Sequence, residues 1–257
     1  SILHPQQPAK VYVSTSGGAY EPIDSFLTQA TVLLWSGNQV DTLHQASDRW
    51  YYSSVPIEAE KPYRMAVSHS NYTSVEATEQ IPASVPFHFE NYVPKAGMSE
   101  KGVYYSSIDV VFNDPPNQTN YYMFWAPEPD WVHRGRNGTF VWGGIWSNDP
   151  FVQTEEQYSY TRHFLPFSDA LFDGKQASIT IHFYYSELVD AMQIHLRCLS
   201  ESHYKYSKSL IKHIEGKFAD VLWGTTDPAN LYSNIQNGYG IFAGYSATSD
   251  SLFTIHD

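Results

Sequence analysis

Charge is scarce in this chain, and positive charge is scarcest. Only 16% of the residues are charged, where a soluble domain usually carries about a quarter. The 15 Lys and Arg stand against 27 Asp and Glu, a formal net charge of −12. A nucleic-acid binder needs clustered cations to neutralise phosphates, and a membrane-surface patch needs them against anionic lipid. Neither cluster exists here. Cysteine is nearly absent too. The single Cys198 lies in QIHLRCLS, alternating with Ile194 and Leu196. It has no partner within the chain for a disulfide, and its spacing predicts a buried strand residue instead of a reactive thiol. No apolar run reaches the ~18 residues that span a bilayer as a helix. The opening SILHPQQPAK lacks the apolar core of a secretion signal, so a leader is expected to have been removed.

What the chain does hold is aromatic and β-forming. Hydrophobic residues make up 42% and aromatics 16%, with 20 tyrosines. That composition favours pleated, half-buried surfaces and a sizeable core. Period-2 segments recur with turn residues between them: Val11–Ser16, Ala30–Trp35, Arg49–Ser54, Tyr63–His69 and Ser74–Gln80. Ile81-Pro82 and Val85-Pro86 then interrupt the pattern, because each proline removes a ladder donor and restrains the residue before it. The expected organisation is therefore a small β-sandwich over residues 1–85 and a larger antiparallel β-sandwich over 86–257.

In the second region Val103–Asp114 and Asn120–Ala126 alternate on either side of Asp114-Pro115-Pro116-Asn117, which predicts a hairpin with a long loop. Thr139–Trp146, Gln157–Phe164, Ala177–Tyr185 and Ala191–Ser200 read as further strands, the last two as a plausible pair. One helix is expected, Ser200–Gly216. Ser200 or Ser202 suits its N-cap, Gly216 its left-handed end, and Tyr206, Leu210, Ile211 and Ile214 form its apolar stripe. The glycines at 238, 240 and 244 suggest a bulge or a tight backbone approach.

Several segments together resemble a known family. SNIQNGYGIFAGYS at Ser233–Ser246 is the most specific, and FNDPPNQTNYYMF at Phe112–Phe124, FSDALFDGK at Phe167–Lys175 and LSESHYKYSKSL at Leu199–Leu210 accompany it in order. These are similar to the Bacteroidetes lipoproteins classed as domain of unknown function 4249. Tyr20–Trp35 and Tyr63–Pro82 agree more loosely and resemble a small immunoglobulin- or transthyretin-like module. The resemblance implies a periplasmic or surface-exposed outer-membrane lipoprotein working beside a TonB-dependent transporter. Its anchoring would run through an N-terminal lipid-bearing cysteine that this chain does not contain. It implies no chemistry and supplies no catalytic residue.

The residues themselves offer little chemistry. There is no HExxH and no cysteine pair, so no transition-metal site is expected, although His182 and His195 fall on neighbouring predicted strands. Asp109 or Asp114 could serve calcium no better, because the DPPN stretch lacks the ligand pattern of a calcium loop. GYSAT at Gly244–Thr248 fails the serine-hydrolase elbow at its last position. Glu155-Glu156 and Asp169 with Asp173 could serve glycoside hydrolysis only if folding set them across a cleft. No cofactor is implied.

The aromatic stretch NYYMFWAPEPDWVHRGRNGTFVWGGIW, Asn120–Trp146, holds four of the seven tryptophans. Those within strands are expected to build core. Trp131, in a connection too polar to bury whole, sits near Arg134 and Arg136 and is the candidate for a partner or ligand contact. Two binding functions remain open on these grounds, a transporter accessory and a glycan- or peptide-capturing protein. A hydrolase with an unrecognised site is the third.

Overall fold

The structure, a computed structural model, describes residues 1–15, 26–99, 102–126, 144–152, 164–184, 191–218 and 230–254. It is mostly β, with several antiparallel sheets and one helix among the described residues. The chain divides into two compact units, Ser1–Ala83 with Leu199–Ser246, and Ser84–Cys198 with Ala247–Asp257. The expectation of a break at 85/86 assigns the helix and the glycine-rich segment to the second region. In the structure both lie in the first unit, so that unit is built from two stretches far apart in sequence.

The first unit contains β1 (Ile2–Leu3), β2 (Pro8–Val11), β3 (Thr31–Ser36), β4 (Gln39–Thr42), β5 (His44–Gln45), β6 (Tyr51–Pro56), β7 (Pro62–His69) and β8 (Tyr72–Gln80). One sheet runs β2-β6-β5 and the other β4-β3-β7-β8. Val32, Leu34, Tyr63, Met65, Val67 and Ala77 alternate inward from the second sheet and meet Val11 and Tyr51 of the first. Phe242 and Leu3 complete this core at 0% and 1% exposure. Burying such a side chain stabilises by roughly 1.5–3 kcal/mol, so the return of the chain at residue 242 contributes directly to the unit's stability.

The second unit contains β9 (Phe87–Met98), β10 (Tyr104–Asn113), β11 (Tyr121–Trp125), β12 (Ile145–Trp146), β13 (Phe164–Ser168), β14 (Gln176–Tyr184) and β15 (Ala191–Leu199). The helix α1 (Glu201–Phe218) follows, and β16 (Ala243–Thr254) begins in the first unit, where it pairs in parallel with β1, and continues into the second. The second unit is a sandwich of β12-β14-β10-β9 on β16-β15-β11-β13. Its core is filled by Ile108, Val110, Phe112, Tyr122, Phe124, Phe167, Ile179, Ile181, Ile194 and Leu196 from both sheets. Cys198 is buried among them.

Three expectations about pairing and packing are corrected. Strands β10 and β11 do not form a hairpin. β10 pairs with β9 and β14, while β11 pairs with β13 in the opposite sheet. Pro115 and Pro116 cannot donate to a ladder, and the connection crosses the sandwich instead. Likewise β14 and β15 lie in different sheets, so His182 and His195 are not neighbours. The tryptophans at 125 and 146 are half-buried on the outward sheet faces, and the core between the sheets takes Phe, Tyr and Ile. The helix also runs past Gly216 to Phe218.

Strand β9 shows why an edge strand hides from periodicity. Asn91 and Lys95 take φ of 50° and 51°, and the register with β10 shifts twice along its length. Such bulges, with Pro94 between them, spoil the alternation and also blunt the edge against pairing with another chain.

Candidate functional site

Two polar centres organise the described residues, one in each unit. In the second unit the sequence brings three motifs together: the Asp114-Pro-Pro connection, Asn120-Tyr121-Tyr122 and the Asp169–Gly174 turn. Tyr122 donates its hydroxyl to Asp114 Oδ1, and Asn120 Nδ2 donates to the same oxygen at 3.2 Å. The Gly174 N–H donates to Asp114 Oδ2 at 2.8 Å, and the Asn120 N–H to Asp169 Oδ2 at 2.7 Å. Backbone bonds lock the same contact. Asp114 N–H donates to the Lys175 carbonyl at 3.0 Å, and Asp169 N–H to the Asn120 carbonyl at 3.1 Å.

Asp114 and Asp169 are buried at 5% and 2% exposure, and Asp173 is exposed. Burial raises the Asp169 carboxyl above its usual range, and the neighbouring Asp114 charge adds to the rise. Burial and the bond to Asp114 likewise raise the Tyr122 phenol. One oxygen from each of Asp114, Asp169 and Asp173 falls within 4.8 Å of the others. Hard cations such as calcium accept such oxygens but need six to eight of them. Here both Asp114 oxygens and Asp169 Oδ2 accept protein N–H and O–H groups, and those bonds clasp two connections of the sandwich.

The other acidic candidate, Asp109, is committed in the same way. It accepts from Thr180 Oγ1 at 2.6 Å and from Asn91 Nδ2 at 2.9 Å, tying three strands of one sheet.

The first unit is centred on Ser200, the residue before α1. Its hydroxyl donates to Glu79 Oε2 at 2.9 Å and accepts from the N–H groups of Gly244 at 3.1 Å and His203 at 3.4 Å. Its own N–H donates to the Gly244 carbonyl at 3.0 Å. Ser200 is thus N-cap and strap at once, satisfying an orphan donor of the helix. Gly244 has no alternative at this place, since a Cβ there would lie 2.6 Å from Ile81 Cγ1. Burial raises the Glu79 carboxyl, opposed by the bonds it accepts. Asn234 performs a similar task. Its side chain donates to the Phe242 carbonyl at 2.6 Å and accepts from the Phe242 N–H at 2.9 Å, closing the loop between them.

Aromatic side chains with polar companions occupy the outward sheet faces. Trp146 meets Tyr105, His182 and Tyr184 with ring centroids 5.0–5.5 Å apart. On the other sheet of the same unit, Trp125 lies under the Arg197 guanidinium at 3.9 Å and beside His195 at 5.0 Å. Burial lowers the proton affinity of both histidines, with Arg197 adding to the effect at His195 and Asp109 opposing it at His182. In the first unit Arg64 stacks over Trp35 at 5.0 Å and pairs with Glu76 at 2.5 Å. An open groove of about 500 Å³ runs beside it, lined by Trp35, Pro62, Arg64, Thr78, Glu79 and Gln80.

Of the residues singled out from sequence, Trp131, Arg134 and Arg136 lie outside the described residues, as do Glu155 and Glu156. Asp114, Asp169 and Asp173 are brought together, and His182 and His195 are kept apart. Sequence reasoning did not assign the roles of Ser200 as a strap, Asn234 as a loop clasp or Glu79 as a half-buried acid. Their signals, a capping serine and an Asn five residues before a glycine-flanked tyrosine, do not reveal partners far away in the chain.

Comparison with curated proteins returns no match. Among solved structures, the chain is similar to a putative membrane anchored protein from Corynebacterium diphtheriae, with 10% identity and a TM-score of 0.22. The match covers 79% of this chain and 53% of that one, so the chain spans about half the length of that protein. Over residues 1–251 the sequence matches the family described as domain of unknown function DUF4249, and the chain belongs to that family.

Proposed function

We propose that this is a non-catalytic binding protein of the cell envelope, a lipoprotein that works as an accessory to a TonB-dependent outer-membrane transporter. One observation carries the binding part. The carboxylates buried in the described residues are bonded to protein donors, whereas the tryptophans with their arginine and histidine companions stand on outward faces. A reaction centre needs a free acid, base or nucleophile at a cleft; a recognition surface needs aromatic and guanidinium groups that a partner can reach. The envelope location and the transporter come from the resemblance of the SNIQNGYGIF and DPP…NYY segments to their family. No helix of the described residues is long and apolar enough to cross a membrane, and the anchor in this reading is a lipid.

Affinity purification of the full-length protein from native membranes tests the proposal. It should recover a TonB-dependent transporter in near-stoichiometric amount. Recovery of the protein from the soluble cytoplasm alone, with no transporter, would refute it.

A second reading, capture of a glycan, is favoured by the Trp146 cluster. Trp146 with Tyr105 and Tyr184 offers ring surface of the kind on which the apolar face of a sugar stacks. Retardation in polysaccharide gels, lost on Trp146→Ala, would decide for it. Unchanged mobility of the wild-type protein would remove it.

A further inference from the structure

The Ser233–Ser246 segment carries a feature that the fold does not use. Tyr239 is 91% exposed, far more than any other large hydrophobic side chain described. It does not project from slack chain. The Asn234 side chain holds Phe242 by both backbone groups, and the Gly240 N–H donates to Ser233 Oγ at 3.2 Å. The Gln236 N–H donates to the Glu76 carbonyl at 2.8 Å, and Asn237 Nδ2 reaches the Ser74 carbonyl at 3.5 Å. Gly240 takes φ of 130°, a conformation open to glycine alone, and so fixes the turn directly after the tyrosine. The ring is presented on a loop already ordered, which removes much of the entropy that binding would otherwise cost.

The surroundings restrict what such a tip can meet. From Pro228 to Ser249 the sequence has no Asp, Glu, Lys, Arg or His, in a chain of net charge −12. Nucleic acid and anionic lipid both require cations, and a small molecule requires a concave site, whereas this tip is convex. Depletion of charge along the segment that bears an exposed tyrosine, with Glu76 of the half-exposed Arg64–Glu76 pair on the adjoining strand, matches an interface whose core lacks charge and whose rim is polar. We infer that the Ser233–Phe242 loop is a preformed protein-docking element, with Tyr239 as the anchor that enters an uncharged pocket on a partner protein. The inference rests on the reading of the molecule as a binding protein and assigns the surface that does the binding.

The test uses full-length protein purified from membranes of its own cells, as wild type, Tyr239→Ala, Tyr239→Phe and, as a control at another exposed tyrosine, Tyr104→Ala. The partner recovered with wild type is purified and its affinity for each variant measured. We expect Tyr239→Ala to weaken binding ~30-fold or more, the size of a hot-spot truncation. Tyr239→Phe should recover most of that loss and Tyr104→Ala should bind like wild type, all with unchanged melting temperature. Full binding by Tyr239→Ala would overturn the inference and leave the binding reading intact. Absence of any partner with wild type would overturn both. Two further outcomes would also overturn it, by naming another occupant. One is flotation with phosphatidylethanolamine vesicles that depends on Tyr239. The other is a concentration-dependent dimer that Tyr239→Ala abolishes.

Discussion

The two units solve the same problem with different chemistry. Each must join segments distant in sequence through a buried polar contact. The first does so with a hydroxyl: Ser200 gathers Glu79, His203 and Gly244, residues 44 to 121 positions apart for its two long-range partners. The second does so with carboxylates: Asp114 and Asp169 gather Tyr122, Asn120 and Gly174. A neutral hydroxyl costs little to bury once bonded, whereas a carboxylate depends on every donor around it. The second unit is therefore the more sensitive of the two to loss of a single side chain.

The sharpest break in that comparison comes from Asp114→Ala. It leaves the Tyr122 hydroxyl and the Gly174 N–H without their acceptor, while Asn120 Nδ2 keeps the Pro115 carbonyl at 3.1 Å, and should destabilise the second unit by ~3–5 kcal/mol. Urea unfolding followed by tryptophan fluorescence would report it, and a loss under 1 kcal/mol would deny the clasp. Ser200→Ala should cost less, ~1–2 kcal/mol, as a lost N-cap with its accessory bonds. Amide exchange in the first turn of α1 should rise in that variant and stay as before in the second unit.

Acidity is what the two centres share. Glu79 and Asp169 both have carboxyl groups raised in the folded protein, chiefly by burial. Their ionisation therefore opposes folding. Below the unfolded carboxylate value, near pH 4, both states are protonated and the stability they allow is fully present. As pH rises, the unfolded chain ionises first, and that stability is lost until the folded groups ionise as well. Glu79→Gln keeps the acceptor for Ser200 and should flatten this decline while leaving stability at neutral pH equal or higher. A steeper decline in the variant would contradict the sign. The smallest effect belongs to Tyr239→Ala, which should stay within ~0.5 kcal/mol of wild type in unfolding.

How far the sequence foretold this depends on the range of the interaction. Strand β7 alternates cleanly because one face is buried and the other wet, and its pairing with β8 follows from a tight turn at Ser70-Asn71. The helix was legible from its cap and stripe. Strand β9 was not, because its bulges and Pro94 serve the edge and erase the period. The partners of β10 and β11 were not either. A DPPN turn resembles a hairpin connection until Asp114 and Asn120 find residues some 50 to 60 positions further on. The tryptophans at 125 and 146 have the alternation of strand residues, but which face is inward is set by Tyr122, Phe124 and Ile145 competing for the same core. For the same reason the acidic residues could be named from sequence while their union could not.

Buried carboxylates hold the fold, and an outward surface does the work. Asp169→Ala and Tyr239→Ala separate these two roles when melting temperature and partner affinity are measured on the same samples at a temperature where both are folded. Asp169→Ala should melt at a lower temperature with unchanged affinity, and Tyr239→Ala should do the reverse. An Asp169→Ala protein that melts like wild type yet no longer binds would contradict this division of roles, and would place the function in the carboxylate cluster.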